Sequence, residues 1–311
     1  MTRDRAVRDR RRGALLGLAV GDAVGAAVEF QPPGSFAPLA AMVGGGPWCL
    51  EPGQWTDDTS MALCLAESLV GCGGFDARDQ MERYLRWWTA GHLSSTGECF
   101  DIGATARAAL VRFRHTRDPF AGATDPHRAG NGSLMRLAPV PVFFVANPER
   151  AIHLSGESSR TTHAAPAAVD ACRYFAALLV GALRGATKKE ILSPCYSPTP
   201  GLWERKPLVP EIVAIAEGSY RRKSPPEIRG SGYVVQTLEA ALWAFHSTES
   251  FRDGCLAAAN LGDDADTTAA VFGQLAGAFY GETAIPVEWR HRLAMYGIID
   301  HYAEALADAA Y

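Results

Sequence analysis

Residues 267–280 read TTAAVFGQLAGAFY. Val271, Leu275 and Ala278 recur at steps of four and three, the spacing of one helical face, and nothing alternates as a strand would. Two glycines, Gly273 and Gly277, lie inside this run. A glycine inside a helix costs about 1 kcal/mol relative to alanine. Close approach of another helix backbone would offset that cost, as would a ligand or metal that needs bare backbone.

The same reading extends outward. Residues 163–184, HAAPAAVDACRYFAALLVGALR, form an Ala-rich run without alternation. Residues 233–246 place Val234, Leu238, Leu242 and Phe245 on one helical face. Two stretches break the pattern. Residues 114–132 are dense in turn formers, and residues 193–210 hold five prolines. Neither has the length or polarity of a flexible linker, and no repeat of fixed period is visible. The expectation is an all-α globule with residues 1–311 as a single domain.

Composition narrows the class. The 311 residues carry 34 acidic and 30 basic side chains, a net charge of −4, with 48% hydrophobic and 21% charged residues. Disordered, collagen-like and membrane compositions are excluded, and the charge argues against a nucleic-acid partner. Six arginines crowd residues 3–12, read as a solvated helix start. Arg10-Arg11-Arg12 before Gly13–Val20 imitates a signal peptide, but Asp22 interrupts the apolar run and no cleavage site follows. No run is expected to span a membrane, which takes roughly 20 apolar residues. The seven cysteines are odd in number and form no Cys-x-x-Cys, so free thiols in a cytoplasmic protein are expected. A monomer is the default.

The chemistry concentrates at two helix starts. The first is Thr56-Asp57-Asp58-Thr59-Ser60 and the second Asp263-Asp264-Ala265-Asp266-Thr267-Thr268. Helix capping explains one such residue per helix. It does not explain two or three adjacent carboxylates, which repel one another unless a cation is present. Hard oxygen ligands suit Mg²⁺ or Mn²⁺, and Asp57, Asp58, Asp264 and Asp266 together balance two divalent cations. Two-metal sites activate water and orient oxygens in hydrolysis.

Other candidates surround these. Asp22 and Glu29 interrupt an apolar segment, as capped or paired acids or as site residues. Asp101, in Phe-Asp-Ile-Gly, sits among apolar neighbours that can raise a carboxyl pKa toward acid–base use. Gly130-Asn131-Gly132-Ser133 is a turn able to cradle a diphosphate through backbone N–H groups, although it is neither a P-loop nor a dinucleotide fingerprint. His163 is placed at a helix start. No nucleophile elbow or activated cysteine is present.

In this order the strings GALLGLAVGDAVGAAVEF (13–30), WTDDTSMAL (55–63), FDIG (100–103), GNGSLMRLAPV (130–140), SRTTH (159–163), SGYVVQTLEAALWAF (231–245) and GDDADTTAAVFGQLAGAFYG (262–281) resemble the ADP-ribosylglycohydrolase family. The likeness is strongest to its arginine-type members, such as dinitrogenase reductase-activating glycohydrolase. The resemblance implies a helical fold with a binuclear Mg²⁺ or Mn²⁺ cleft. It carries the metal ligands onto Thr56, Asp57, Asp58, Asp264, Asp266 and Thr267. Acid–base or gating roles fall on Glu29, Asp101 and Asp57. ADP-ribose contacts fall on Gly130, Asn131, Gly132, Ser133, His163 and Tyr233. Asp263 stands where many relatives have glycine and is not assigned to the metals. The implied reaction releases ADP-ribose from ADP-ribosylated protein arginine. Hydrolysis of a serine, phosphate or nucleotide linkage, a non-catalytic ADP-ribose binder, and a metal phosphohydrolase are the alternatives.

Overall fold

Four glycines at steps of four, Gly13, Gly17, Gly21 and Gly25, run down one face of the first helix, α1 (Arg3–Gly25). Residues at this spacing stack on one side of a helix. Opposite them lie Gly277, Gly273, Ala269 and Ala265 of a late helix (Ala265–Tyr280). A Cβ built on Gly17 would sit 2.2 Å from the carbonyl oxygen of Gly273, and one on Gly273 would sit 2.0 Å from that of Gly17. The two helices run antiparallel with backbones in contact, so no Cβ has room at these glycines. The glycine cost inferred from residues 267–280 is offset here by a partner helix.

The computed structural model describes residues 3–309, and its elements among them are all helical. After α1 come α2 (Asp57–Cys72), α3 (Ala77–Ala90), α4 (Ala104–Thr116), α5 (Pro139–Phe143), α6 (Pro148–Thr162) and α7 (Pro166–Leu183). Three short helices follow, α8 (Lys188–Ile191), α9 (Leu202–Arg205) and α10 (Pro210–Ala216). The chain ends in α11 (Val234–Ser247), α12 (Phe251–Ala259), α13 (Ala265–Tyr280), α14 (Val287–Arg292) and α15 (Tyr296–Ala309). The α13 helix packs against α1, α7, α11 and α12, and one continuous apolar cluster joins them.

Two expectations need correction. His163 does not open a helix: it terminates α6 in extended backbone, and α7 begins at Pro166. Pro166 pre-sets the first helical turn and needs no N–H there. In addition, α7 does have the length and hydropathy of a membrane-crossing helix, contrary to the expectation of no such run. Residues 174–183 of it are all buried inside the protein. All seven cysteines are free.

The basic N-terminus is more than a solvated helix start. Arg12, only 14% exposed, donates to Glu282 at 2.6 Å and Glu304 at 2.5 Å, and also to Asp300. Arg8 pairs with Glu304 and Asp308, and Arg11 donates to the Ala307 carbonyl. These contacts tie α1 to α15 and to the turn after α13. Hydrogen bonds to charged groups contribute about 1.5–3 kcal/mol when one partner is lost. Arg12→Leu is therefore expected to cost about 2 kcal/mol, read as a lower denaturant midpoint at unchanged slope.

Candidate metal centre

The seam sets the end of α1 against the start of α13, and α2 begins beside both. Asp22, wholly buried on α1, accepts four hydrogen bonds: from the N–H and hydroxyl of Thr56 at 2.9 and 3.0 Å, and from those of Thr59 at 3.0 and 2.6 Å. It thereby fixes the first turn of α2. Burial nevertheless pushes its carboxyl up to about 6.

The Thr56 hydroxyl lies 3.0 Å from Asp22, 3.4 Å from Asp58 and 3.1 Å from Asp266. One hydroxyl has one hydrogen, so it can satisfy only one of three carboxylates. Thr267 adds a second hydroxyl, 3.2 Å from the Oδ2 of Asp58. The opposite oxygens, Oδ1 of Asp58 and Oδ1 of Asp266, are buried without any hydrogen-bond partner. Neither helix start is capped by a side chain of its N-cap residue, Thr56 or Asp264. Capping therefore does not account for these acids. Orphaned buried carboxylate oxygens are costly, and a hard divalent cation is the partner that suits them.

The acids spread beyond the sequence-derived ligand set. Glu29, Asp101 and Asp266 each offer a carboxylate oxygen within 4.8 Å of one another, a group able to hold a cation. Glu29 and Asp101, expected as catalytic acids, thus stand in ligand range as well. Burial, then the Asp101 charge, raises Glu29 to about 9, even though the Trp48 indole N–H donates to its Oε2 at 2.9 Å. Burial, then Asp264, raises Asp101 to about 7. Asp57, Asp58 and Asp266 are pushed up by burial and by neighbouring carboxylates. A cation must displace the protons these groups hold near neutrality. Its affinity is expected to rise from pH 6 to pH 8.5 with net proton release, measured by calorimetry in buffers of different ionisation enthalpy.

A cleft of about 230 Å³ opens above the acids. Glu29, Phe30, Asp57, Asp101, Gly130, Asn131, Gly132, His163, Asp264 and Thr267 reach its walls. Thr56, Asp58 and Asp266 lie beneath, almost fully buried. Asn131 donates to Oδ2 of Asp264 at 2.7 Å and so orients that carboxylate. Ser133 does not present its hydroxyl to the cleft; it bonds the Ser159 hydroxyl at 2.8 Å. Tyr233 borders an adjoining groove with Gly130 and Gly232. Asp263 lies outside the cluster. Its φ of 51° is the left-handed backbone that favours glycine, and it is stitched to the Phe30–Gln31 turn by N–H···O bonds of 2.6 and 2.8 Å.

Trp48 was not found from sequence. It sits in a tight loop closed by Gly45 and Leu50, with Gly46 (φ 68°) against the Ala26 carbonyl. Its indole binds Glu29 and tilts against Phe100, ring centroids 5.5 Å apart. Glycines at 44–46 were the only local signal.

Comparison with known proteins now decides the family. The profile described as ADP-ribosylglycohydrolase matches residues 3–311. The chain belongs to the ADP-ribosylglycohydrolase family. A relative from Pseudomonas putida, the ADP-ribosylarginine hydrolase Tri1, is 46% identical over 97% of this chain and 79% of its own. The ADP-ribosyl-[dinitrogen reductase] glycohydrolase of Rhodospirillum rubrum is 33% identical over 93% and 92%. A solved ADP-ribosylglycohydrolase-related protein complex superposes with a TM-score of 0.87 at 45% identity, covering 99% of this chain and all of that one. The family resemblance drawn from the motifs is correct, with the Tri1 relative nearer than the dinitrogen reductase enzyme.

Proposed function

We propose that this ADP-ribosylglycohydrolase cleaves the N-glycosidic bond between ADP-ribose and a protein arginine, with divalent cations, Mg²⁺ or Mn²⁺, held by Asp57, Asp58, Asp264, Asp266, Thr56 and Thr267. The observation that carries it is the pair of orphaned, buried oxygens on Asp58 and Asp266, at the starts of α2, which Asp22 ties to α1, and of α13, which packs on α1 along the glycine seam. The arginine linkage draws its support from the printed activity of the Tri1 relative and from the rim of the cleft. Phe30 (61% exposed) and Trp48 (39% exposed) offer aromatic faces beside Glu29 and Asp101. Flat π surfaces next to carboxylates suit a planar guanidinium.

When bound, the cations would supply positive charge that orients the ribose hydroxyls and polarises water. The chain's own residues do the rest. Asp101, on the wall of the cleft, can carry a proton at its carboxyl oxygen to the guanidine nitrogen as the glycosidic bond breaks. Glu29, held by Trp48, flanks it. The Gly130–Ser133 turn faces the diphosphate side, and no hydrogen bond among the described residues uses the N–H groups of Gly132 and Ser133.

The test is incubation of the purified chain with Mn²⁺ or Mg²⁺ and an arginine-ADP-ribosylated protein. Free ADP-ribose and regenerated guanidine are expected, and chelation should abolish both. An untouched arginine conjugate alongside a cleaved serine or phosphate linkage would move the assignment to that linkage. Release of phosphate would indicate a phosphohydrolase.

A further inference from the structure

Arg136 is wholly buried and has no carboxylate partner among the described residues. Its guanidinium lies over the Tyr84 ring, 4.7 Å from the centroid, and donates to the Gly132 carbonyl at 2.5 Å and the Thr162 hydroxyl at 2.7 Å. The Thr162 oxygen therefore accepts from Arg136. Its own hydrogen has one acceptor within reach, Nδ1 of His163 at 2.9 Å. A ring nitrogen that accepts carries no proton, so the proton of the neutral imidazole sits on Nε2.

His163 lines the cleft, and its Nε2 lies beside Gly130 and Gly132, which line it too. Added Cβ atoms on Gly130 and Gly132 would come within 3.3 and 3.2 Å of Nε2, so these glycines leave the room the imidazole occupies. Burial, then the charge of Arg136, keeps the imidazole from taking a second proton, with its pKa lowered to about 3.

We propose that Arg136 and Thr162 are positioning residues that lock His163 as an Nε2–H donor, aimed at an acceptor oxygen of the ligand in the cleft. The ligand side rests on the ADP-ribose reading above, which makes the diphosphate or a ribose oxygen the acceptor. His163 is then a fixed hydrogen-bond donor and takes no part in acid–base steps. One guanidinium holds both the Gly132 carbonyl and, through Thr162, the histidine, so turn and ring keep one register.

The experiment uses the full-length protein with ¹⁵N-labelled histidine. The His163 ring is expected to be neutral and Nε2-protonated, without titration between pH 5.5 and 8. Thr162→Val keeps the shape and removes the donor. The Nδ1 resonance should move to that of an unbonded ring nitrogen, and the Kd for ADP-ribose should rise about tenfold, as expected for losing a hydrogen bond to a charged ligand. Thr162→Ser should restore both, which separates positioning from simple loss of fold. A protonated Nδ1, a His163 that titrates in that range, or a Thr162→Val protein with unaltered ADP-ribose affinity would overturn the proposal. Wild-type protein that binds no ADP-ribose would sink the reading of the cleft instead, while the ring spectra would still decide the relay.

Discussion

Asp58→Asn is expected to stabilise the cation-free protein and to abolish its activity. Asp58 is wholly buried, its Oδ1 has no partner, and its Oδ2 takes the Thr267 hydroxyl at 3.2 Å but shares that of Thr56 with Asp22 and Asp266. Without a cation, the carboxylates here favour protons. The folded pKa values of Asp101, about 7, and Glu29, about 9, lie above their unfolded values. The folded state therefore binds more protons, and linkage makes stability fall as pH rises. That contribution is fully present below about pH 4 and is lost as pH climbs through 7 and 9. A chelated sample should thus melt lower at pH 8.5 than at pH 6. Saturating Mn²⁺ or Mg²⁺ should reverse this: at a hundred times Kd, a ligand adds about 2.7 kcal/mol, several degrees in Tm for a chain of this size. The asparagine removes one buried charge, so the chelated variant should melt above chelated wild type. It should also respond less to the metal, with kcat down on the order of 10³ because the charge stabilisation supplied by a metal is worth several kcal/mol. A variant that melts lower in chelator and keeps its metal response would refute the metal assignment.

The acids themselves were legible, because adjacent carboxylates at two helix starts exceed what capping needs. The helices bearing them were legible too, from apolar steps of three and four. What failed locally has identifiable causes. The Ala-rich run at 163–184 hides a helix break that only Pro166 marks, so local pattern puts His163 at a start when it is an end. Arg136 looks like any surface arginine, since nothing in the chain says that a guanidinium will be buried over Tyr84. Trp48 reaches Glu29 only because the loop after Gly46 folds back on the end of α1. Asn131 lines the cleft, and nothing in the chain says that its amide will also hold Asp264. Tertiary placement decided each of these, and local pattern carries no information about it.

The α1 glycines recur every four residues, and they carry the second large expectation. Gly17→Ala puts a Cβ 2.2 Å from the Gly273 carbonyl oxygen, with that carbonyl carbon at 3.0 Å. The nearest obstruction is backbone, which cannot swing aside, and the Phe251 ring follows at 3.1 Å, so the helices must part. Overpacking in a tight core costs about 1–3 kcal/mol and sometimes more, against a helix-propensity gain of about 1 kcal/mol. A net loss of about 2 kcal/mol is expected for alanine, and Gly17→Leu should fail to fold. Gly297 of α15 is the control: an added Cβ there meets nothing within 4 Å. Gly297→Ala should therefore be neutral or stabilising by up to about 1 kcal/mol. The seam also sets the spacing of the chemistry, because Asp22 and Glu29 leave its α1 side while Asp264 and Asp266 enter from α13. Folded Gly17→Ala protein should therefore bind the cation more weakly than wild type, by calorimetry at a temperature well below its Tm. If it loses stability but keeps full metal affinity, the seam is a packing device alone and the convergence of the two acidic motifs depends on other contacts.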